Sequence, residues 1–211
     1  MGGGAGERFA ATSSPHEIVM NAEITSLLIE LTSGDDHRAE LAVAGLSVHG
    51  FEALPGLKEM LISSDDDTRW WAVRTLAQMV NPPIEFLILS LEDESQEVRQ
   101  CAALAICHHP DASAIRNLLK MMAETETVTT NLAATALIAI GKDAIPGLLD
   151  LLPNLKDVSR IEAYRAIACI EDQRSIPVLM AAMDEDSLAI NYWVEEGLNR
   201  LGLGMVYLKP D

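Results

Sequence analysis

Six segments of this chain, DDHRAELAVAGL, SDDDTRWWAVRTL, SQEVRQCAALAI, TVTTNLAATAL, VSRIEAYRAI and LAINYWVEEGL, align on the apolar residue that closes each one. The closing residues are Leu46, Leu76, Ile106, Leu137, Ile167 and Leu198, at steps of 30, 30, 31, 30 and 31 residues. A near-constant period of this size with helical patterning specifies a stacked helical repeat, in which each unit buries its apolar face only against its neighbours. The 211 residues are therefore expected to form one elongated domain rather than two globular ones. Apolar residues make up 49% of the chain and aromatic residues only 4%, so the core must be built from Ala, Leu, Ile and Val. Small aliphatic side chains suit close helix packing better than a β-sandwich.

Punctuation along the chain agrees with the period. Ser14, Pro15 and Glu17 read as a capping box that opens the first helix, with residues 1–14 as a flexible tail before it. Ile18, Ala22, Leu27, Leu28 and Leu31 then mark a long amphipathic helix that stops near Gly34. Each later repeat predicts two helices of about three turns. The first of each pair starts near Glu52, Pro83, Ala112, Asp143 or Gln173, several with a proline in the first turn: Pro55, Pro146 and Pro177. The second follows an acidic or hydroxyl cluster such as Ser64 to Asp67, Glu94 to Glu97 or Asp184 to Ser187, where side chains cap free amides and complement the helix dipole. Residues 204–211, with Gly204, Tyr207 and Pro210, read as a C-terminal tail.

Within the second helices, the residue four before each closing position lies within about 40° of it. These residues are Ala42, Ala72, Ala102, Ala133, Ala163 and Val194, five alanines in six places, so this column marks the closest approach of neighbouring helices. The acidic turn, an Arg at the start of the second helix (Arg69, Arg99, Arg160), the Ala three later and the apolar residue at seven resemble the HEAT-like repeats of phycobilisome bilin lyases and bacterial scaffolding proteins. The resemblance covers residues 15–203. It implies an all-α fold, a right-handed α-solenoid of about six helix pairs with first helices outside and second helices lining a concave surface, and it implies little about activity. In such repeats that Arg usually pairs with acidic residues of its own or the next turn and ties repeats together. Ala39, Thr130 and Asn191 occupy the same column, so the ladder is expected to break there.

Positions one and five residues after that column project into the concave groove. They hold Glu40 and Ala44, Trp70 and Arg74, Gln100 and Leu104, Asn131 and Thr135, Ile161 and Arg165, Tyr192 and Glu196. This mixture suits a peptide or protein element, with Trp70 and Tyr192 as apolar anchors, Arg74 and Arg165 as carboxylate contacts, and Gln100 and Asn131 between them. Two readings of the Trp70-Trp71 pair stand side by side. In one, Trp71 packs on a neighbouring repeat while Trp70 covers the groove; in the other, Trp70 anchors a ligand. Trp193 beside Tyr192 repeats the arrangement in the last repeat.

Charge and motif content narrow the function classes. With 15 basic and 32 acidic residues the formal charge is −17, which disfavours nucleic acid and anionic membrane and favours partners with a basic or mixed surface. No stretch reaches the length of a membrane span. Cys101, Cys107 and Cys169 lie in apolar helical stretches without CxxC spacing, which points to unpaired thiols and a cytoplasmic setting. The HEAT-like deoxyhypusine hydroxylases hold two irons through repeated His-Glu pairs, and only His16-Glu17 has that form here. HEAT-like DNA glycosylases use a basic groove that this acidic chain does not provide. No phosphate loop, nucleophile elbow or zinc signature is present, so no catalytic residue, metal or cofactor is expected. The expected function is a noncatalytic interaction scaffold. The alternative, implied by the resemblance, is a bilin lyase-like or chaperone activity on a tetrapyrrole-bearing protein.

Overall fold

The computed structural model describes residues 15–124 and 126–204, and these fold into twelve α-helices joined by short turns, with no strand among them. In chain order the helices are α1 (Pro15–Leu31), α2 (Asp36–His49), α3 (Leu54–Leu61), α4 (Asp66–Gln78), α5 (Ile84–Ser90), α6 (Gln96–His108), α7 (Ile115–Met122), α8 (Thr127–Ile140), α9 (Ile145–Leu151), α10 (Asp157–Ile170), α11 (Ile176–Ala181) and α12 (Leu188–Arg200). They alternate as first and second helices of six pairs, an all-α solenoid. The Ser14 cap and the tails at residues 1–14 and 205–211 lie outside the described residues.

The two helices of a pair differ in length, which corrects the expectation of three turns each. Second helices have 13 or 14 residues, whereas α3, α5, α7, α9 and α11 have only six to eight. Four of these five short helices are preceded by a 3₁₀ turn, at Gly50–Glu52, Ala112–Ala114, Lys142–Ala144 and Gln173–Ser175. The predicted starts at Glu52, Ala112, Asp143 and Gln173 fall in these turns, where the proline and cap signals begin before α-helical geometry does. Pro55, Pro146 and Pro177 do occupy the first turn of α3, α9 and α11.

Helix starts are fixed by local chemistry. The carboxylates of Asp35, Asp65 and Glu126 and the hydroxyl of Ser187 accept backbone amides in the first turns of α2, α4, α8 and α12. Each such cap contributes about 1 kcal/mol by satisfying an amide the helix itself cannot.

Packing follows the two columns. All six closing residues and all six residues four before them are buried at 2% exposure or less. Second helices contact one another in an unbroken series from α2 through α4, α6, α8 and α10 to α12, while contacts between successive first helices are sparser. Alanine at the crossing lets backbones approach, so the second-helix row is the tighter one and forms the concave side.

The arginine column ties this row together at its edge. Arg69 donates to both oxygens of Asp93 at 2.8 Å and to the Ser63 carbonyl at 2.9 Å; Arg99 donates to Glu124 at 2.9 Å and to the Asp93 carbonyl at 2.9 Å; Arg160 pairs with Glu185. Thr130 and Asn191 still donate to the carbonyl six residues behind them, at Glu124 and Glu185. Among the described residues these shorter side chains make no bond forward to the next turn. The ladder therefore breaks between repeats there and persists within each turn.

Candidate functional site

Along the concave side, most crossings of second helices are bridged by polar side chains. Arg74 donates from α4 to both oxygens of Glu40 on α2 at 3.2 Å. Gln100 on α6 donates to Thr129 on α8 at 3.0 Å and to Glu126 at 3.2 Å. Asn131 on α8 donates to Glu162 on α10 at 3.3 Å, and Arg165 of α10 reaches back to the Asn131 carbonyl at 3.2 Å and the Thr135 hydroxyl at 3.0 Å. Between α4 and α6 the corresponding places are taken by Trp70, Cys101 and Leu104. There the surface opens into a hollow of about 460 Å³, closed on its far side by Leu132 of α8 and rimmed by Arg74, Glu97, Gln100 and His108. This lies within the size range of small-ligand and side-chain sites. Leu104 is 49% exposed in it, a large apolar side chain left uncovered on a mostly polar face.

A second hollow of about 460 Å³ lies on the other side of Trp70, between α2 and α4. Trp70, Trp71 and Leu31 line it together with the carboxylates of Asp36, Glu40, Asp65 and Asp67. The two indoles meet edge to face, with centroids 4.8 Å apart and planes at 86°. Both are half-buried, so neither is a pure core residue, and the Trp70 ring is the wall common to the two hollows.

Of the six residues picked out from the sequence, the structure gathers Trp70, Arg74 and Gln100 around one hollow. Asn131 and Arg165 sit together at the crossing of α8 and α10. Tyr192 stands apart on α12, 60% exposed, with its ring edge-to-face against Trp193 at 4.9 Å. Both arginines already hold a carboxylate of their own chain, Arg74 that of Glu40 and Arg165 that of Glu162 at 2.6 Å. An incoming carboxylate would have to displace these partners, so both guanidinium groups act as braces between helices rather than as free contacts.

Trp71, Cys101, Leu132, Asp36 and Asp67 were missed as lining residues, and Leu104 was noted in the groove column without being selected. Trp71, Cys101 and Leu132 share the position two after the arginine column. That position faces the preceding repeat, and a third column read at that offset would have found them.

Burial pushes the Cys101 thiol up to about 11, so it stays protonated at neutral pH and is a poor nucleophile. Burial likewise raises Cys107. All three cysteines are free thiols. Among the described residues no group of three or more His, Cys, Asp or Glu is placed to hold a metal ion. No single described helix is long and apolar enough to cross a membrane.

No family model and no curated protein matches the chain. Solved structures do match its fold. An engineered protein is 21% identical with a TM-score of 0.54, over 86% of this chain and 98% of its own. A designed armadillo repeat protein in complex with the peptide (KR)4 is 18% identical with a TM-score of 0.54, over 85% of this chain and 99% of its own. The complex of CpcE and CpcF of phycocyanin lyase from Nostoc sp. PCC7120 is 18% identical with a TM-score of 0.52, over 84% of this chain and 98% of the matched one. At these identities the fold is what is shared. The chain shares the α-solenoid fold of these repeat proteins.

Proposed function

We propose that this chain is a noncatalytic interaction module that holds a peptide or protein element along the concave row of second helices. The observation that carries the reading is the apolar hollow between α4, α6 and α8, where Trp70 and Leu104 face outward on a solenoid whose other groove positions are mostly polar. A half-buried aromatic beside an uncovered leucine is the composition of an interface anchor, and truncating such an anchor typically costs about 2 kcal/mol or more of binding free energy. The acidic composition favours a partner with a basic or mixed surface. A structural neighbour that holds the peptide (KR)4 on the same architecture supports this reading. Affinity capture with the intact chain, a Trp70→Ala variant and a Leu104→Asp variant side by side tests it. The expected result is loss of the same specific protein from both variants; identical captures by all three chains would remove the groove assignment.

The likeness to the phycocyanin lyase subunits favours a second reading, a lyase-like or chaperone role toward a tetrapyrrole-bearing protein. In that case the hollow would hold part of a pigment, and mixing the chain with a linear tetrapyrrole would change the pigment's visible absorbance. A flat difference spectrum at micromolar protein removes this reading.

A further inference from the structure

We propose that the two hollows flanking Trp70 act as one bipartite site for an extended protein segment, with an apolar side chain on one side of the indole and a Lys or Arg on the other. This rests on the groove reading above and adds the partner's chemistry, polarity and spacing. The assignment of sides follows from charge. On the α4–α6–α8 side the walls are largely apolar, with Leu104, Leu132 and Cys101, and the lining carboxylate and guanidinium are of opposite sign, Glu97, which accepts from the Ser95 hydroxyl, and Arg74, which Glu40 pairs, so this side offers an incoming cation little net attraction. On the α2–α4 side, Glu40 is neutralised by Arg74, and Asp65 is engaged in capping Thr68. Asp36 and Asp67 line the same hollow and have no cation partner among the described residues. A cation there meets two first-turn carboxylates without an ion-pair partner among the described residues and the indoles of Trp70 and Trp71, an arrangement in which Coulomb attraction and the negative ring faces act together. The charge of −17 on the whole chain adds long-range attraction of the same sign.

Spacing follows from helix packing. Neighbouring second helices lie about 10 Å apart, so the two hollows, one on each side of α4, are separated by roughly that distance. In an extended chain, residues three apart span about 10 Å, whereas on a helix the same distance on one face needs a separation of about seven. The site thus selects an apolar residue and a basic residue three apart in an extended segment.

Fluorescent serine-rich peptides carrying one Leu and one Arg at separations from one to about seven, in both orders, distinguish these cases by anisotropy with the full chain. The tightest binding is expected at a separation of three, about tenfold tighter than when either anchor is replaced by Ser, and weakening with added salt. The Asp36→Asn/Asp67→Asn variant should lose the Arg preference and the salt dependence while keeping the Leu preference. Leu104→Asp should lose the Leu preference, and Trp70→Ala should weaken both. If Trp70→Ala weakens binding but the Arg is dispensable, or the optimum falls at seven, the bipartite assignment is overturned while the groove survives. If Trp70→Ala changes nothing, or no peptide binds below millimolar concentration, both fall.

Discussion

Gly141 and Glu171 occupy the same place in two repeats, four residues after the closing positions Leu137 and Ile167, and ask opposite things of the backbone. Both have positive φ, as do Gly50 and Gly202 at the equivalent places after α2 and α12. At Gly141 the angles are φ 85 and ψ −140, a region open essentially to glycine, and a Cβ there would meet nothing within 4 Å. The cost of Gly141→Ala is therefore backbone strain alone, about 1–3 kcal/mol, seen as a lower urea midpoint. At Glu171 the angles are φ 56 and ψ 51, left-handed helical geometry that a side chain tolerates at a cost of roughly 1 kcal/mol. Among the described residues its one ion pair, to Arg200 at 3.4 Å, is exposed and contributes little. Glu171→Gly should consequently raise the midpoint. Equal shifts of one sign in both variants would show that the turn, rather than its φ, controls stability. Glycine at three of these four places marks the positive φ by composition, whereas Glu171, a left-handed residue that is not glycine, leaves no such trace in the sequence.

At the scale of elements, the row of second helices is held by alanine contacts inside and by arginine clamps at the edge. The Arg69–Asp93 clamp is the better buried, with side chains 14% and 13% exposed. Burial alone would raise the Asp93 carboxyl, but hydrogen bonds from the Arg69 guanidinium and the Ser95 amide, with the charges of Arg69 and Arg99, hold it below the usual carboxylate range. A carboxyl depressed in the folded state contributes stability above its unfolded value of about 3.9, and that contribution is lost as pH falls through the lower folded value. Arg69→Met should thus destabilise by about 1–3 kcal/mol at neutral pH, less than for a fully buried pair, because both groups retain some water. The gap between wild type and variant should stay constant above about pH 5 and narrow toward pH 3, measured as denaturant midpoints across that range. A gap that is undiminished at pH 3 would assign Arg69 a packing role instead. The period, the alanine column and the arginine column were all legible because each is a property of one helix face. The short first helices were not, because cap and proline signals mark where a turn begins without saying whether it opens as 3₁₀ or α. Nor was the engagement of Arg74, because its partner Glu40, 34 residues away, is brought near only by the stacking of whole repeats, whereas Glu162, three residues before Arg165 on the same helix, was within reach of the spacing.

The whole molecule sets how far its groove residues can cooperate. A sequence column places Trp70 and Tyr192 on one concave face, but the solenoid sets them on α4 and α12, four helix steps apart. At about 10 Å per step that is roughly 40 Å along the row. An extended segment advances about 3.3 Å per residue, so touching both aromatic groups takes about 12 residues. Each repeat contacts only its neighbours, so a side chain removed from α12 has no packed route by which to alter the hollow beside α4. Ligands shorter than about ten residues that engage Trp70 should therefore lose affinity on Trp70→Ala and change less than about twofold on Tyr192→Ala. Once a ligand exceeds about 12 residues, Tyr192→Ala should begin to weaken it, and the losses from the two substitutions should add, as expected for distant sites. Titration of one ligand series truncated residue by residue against the three chains reads this directly. Sensitivity to Tyr192 at every length would place the short ligands at the α12 end, and insensitivity at every length would leave Tyr192 as a cap on the last repeat rather than part of the binding surface.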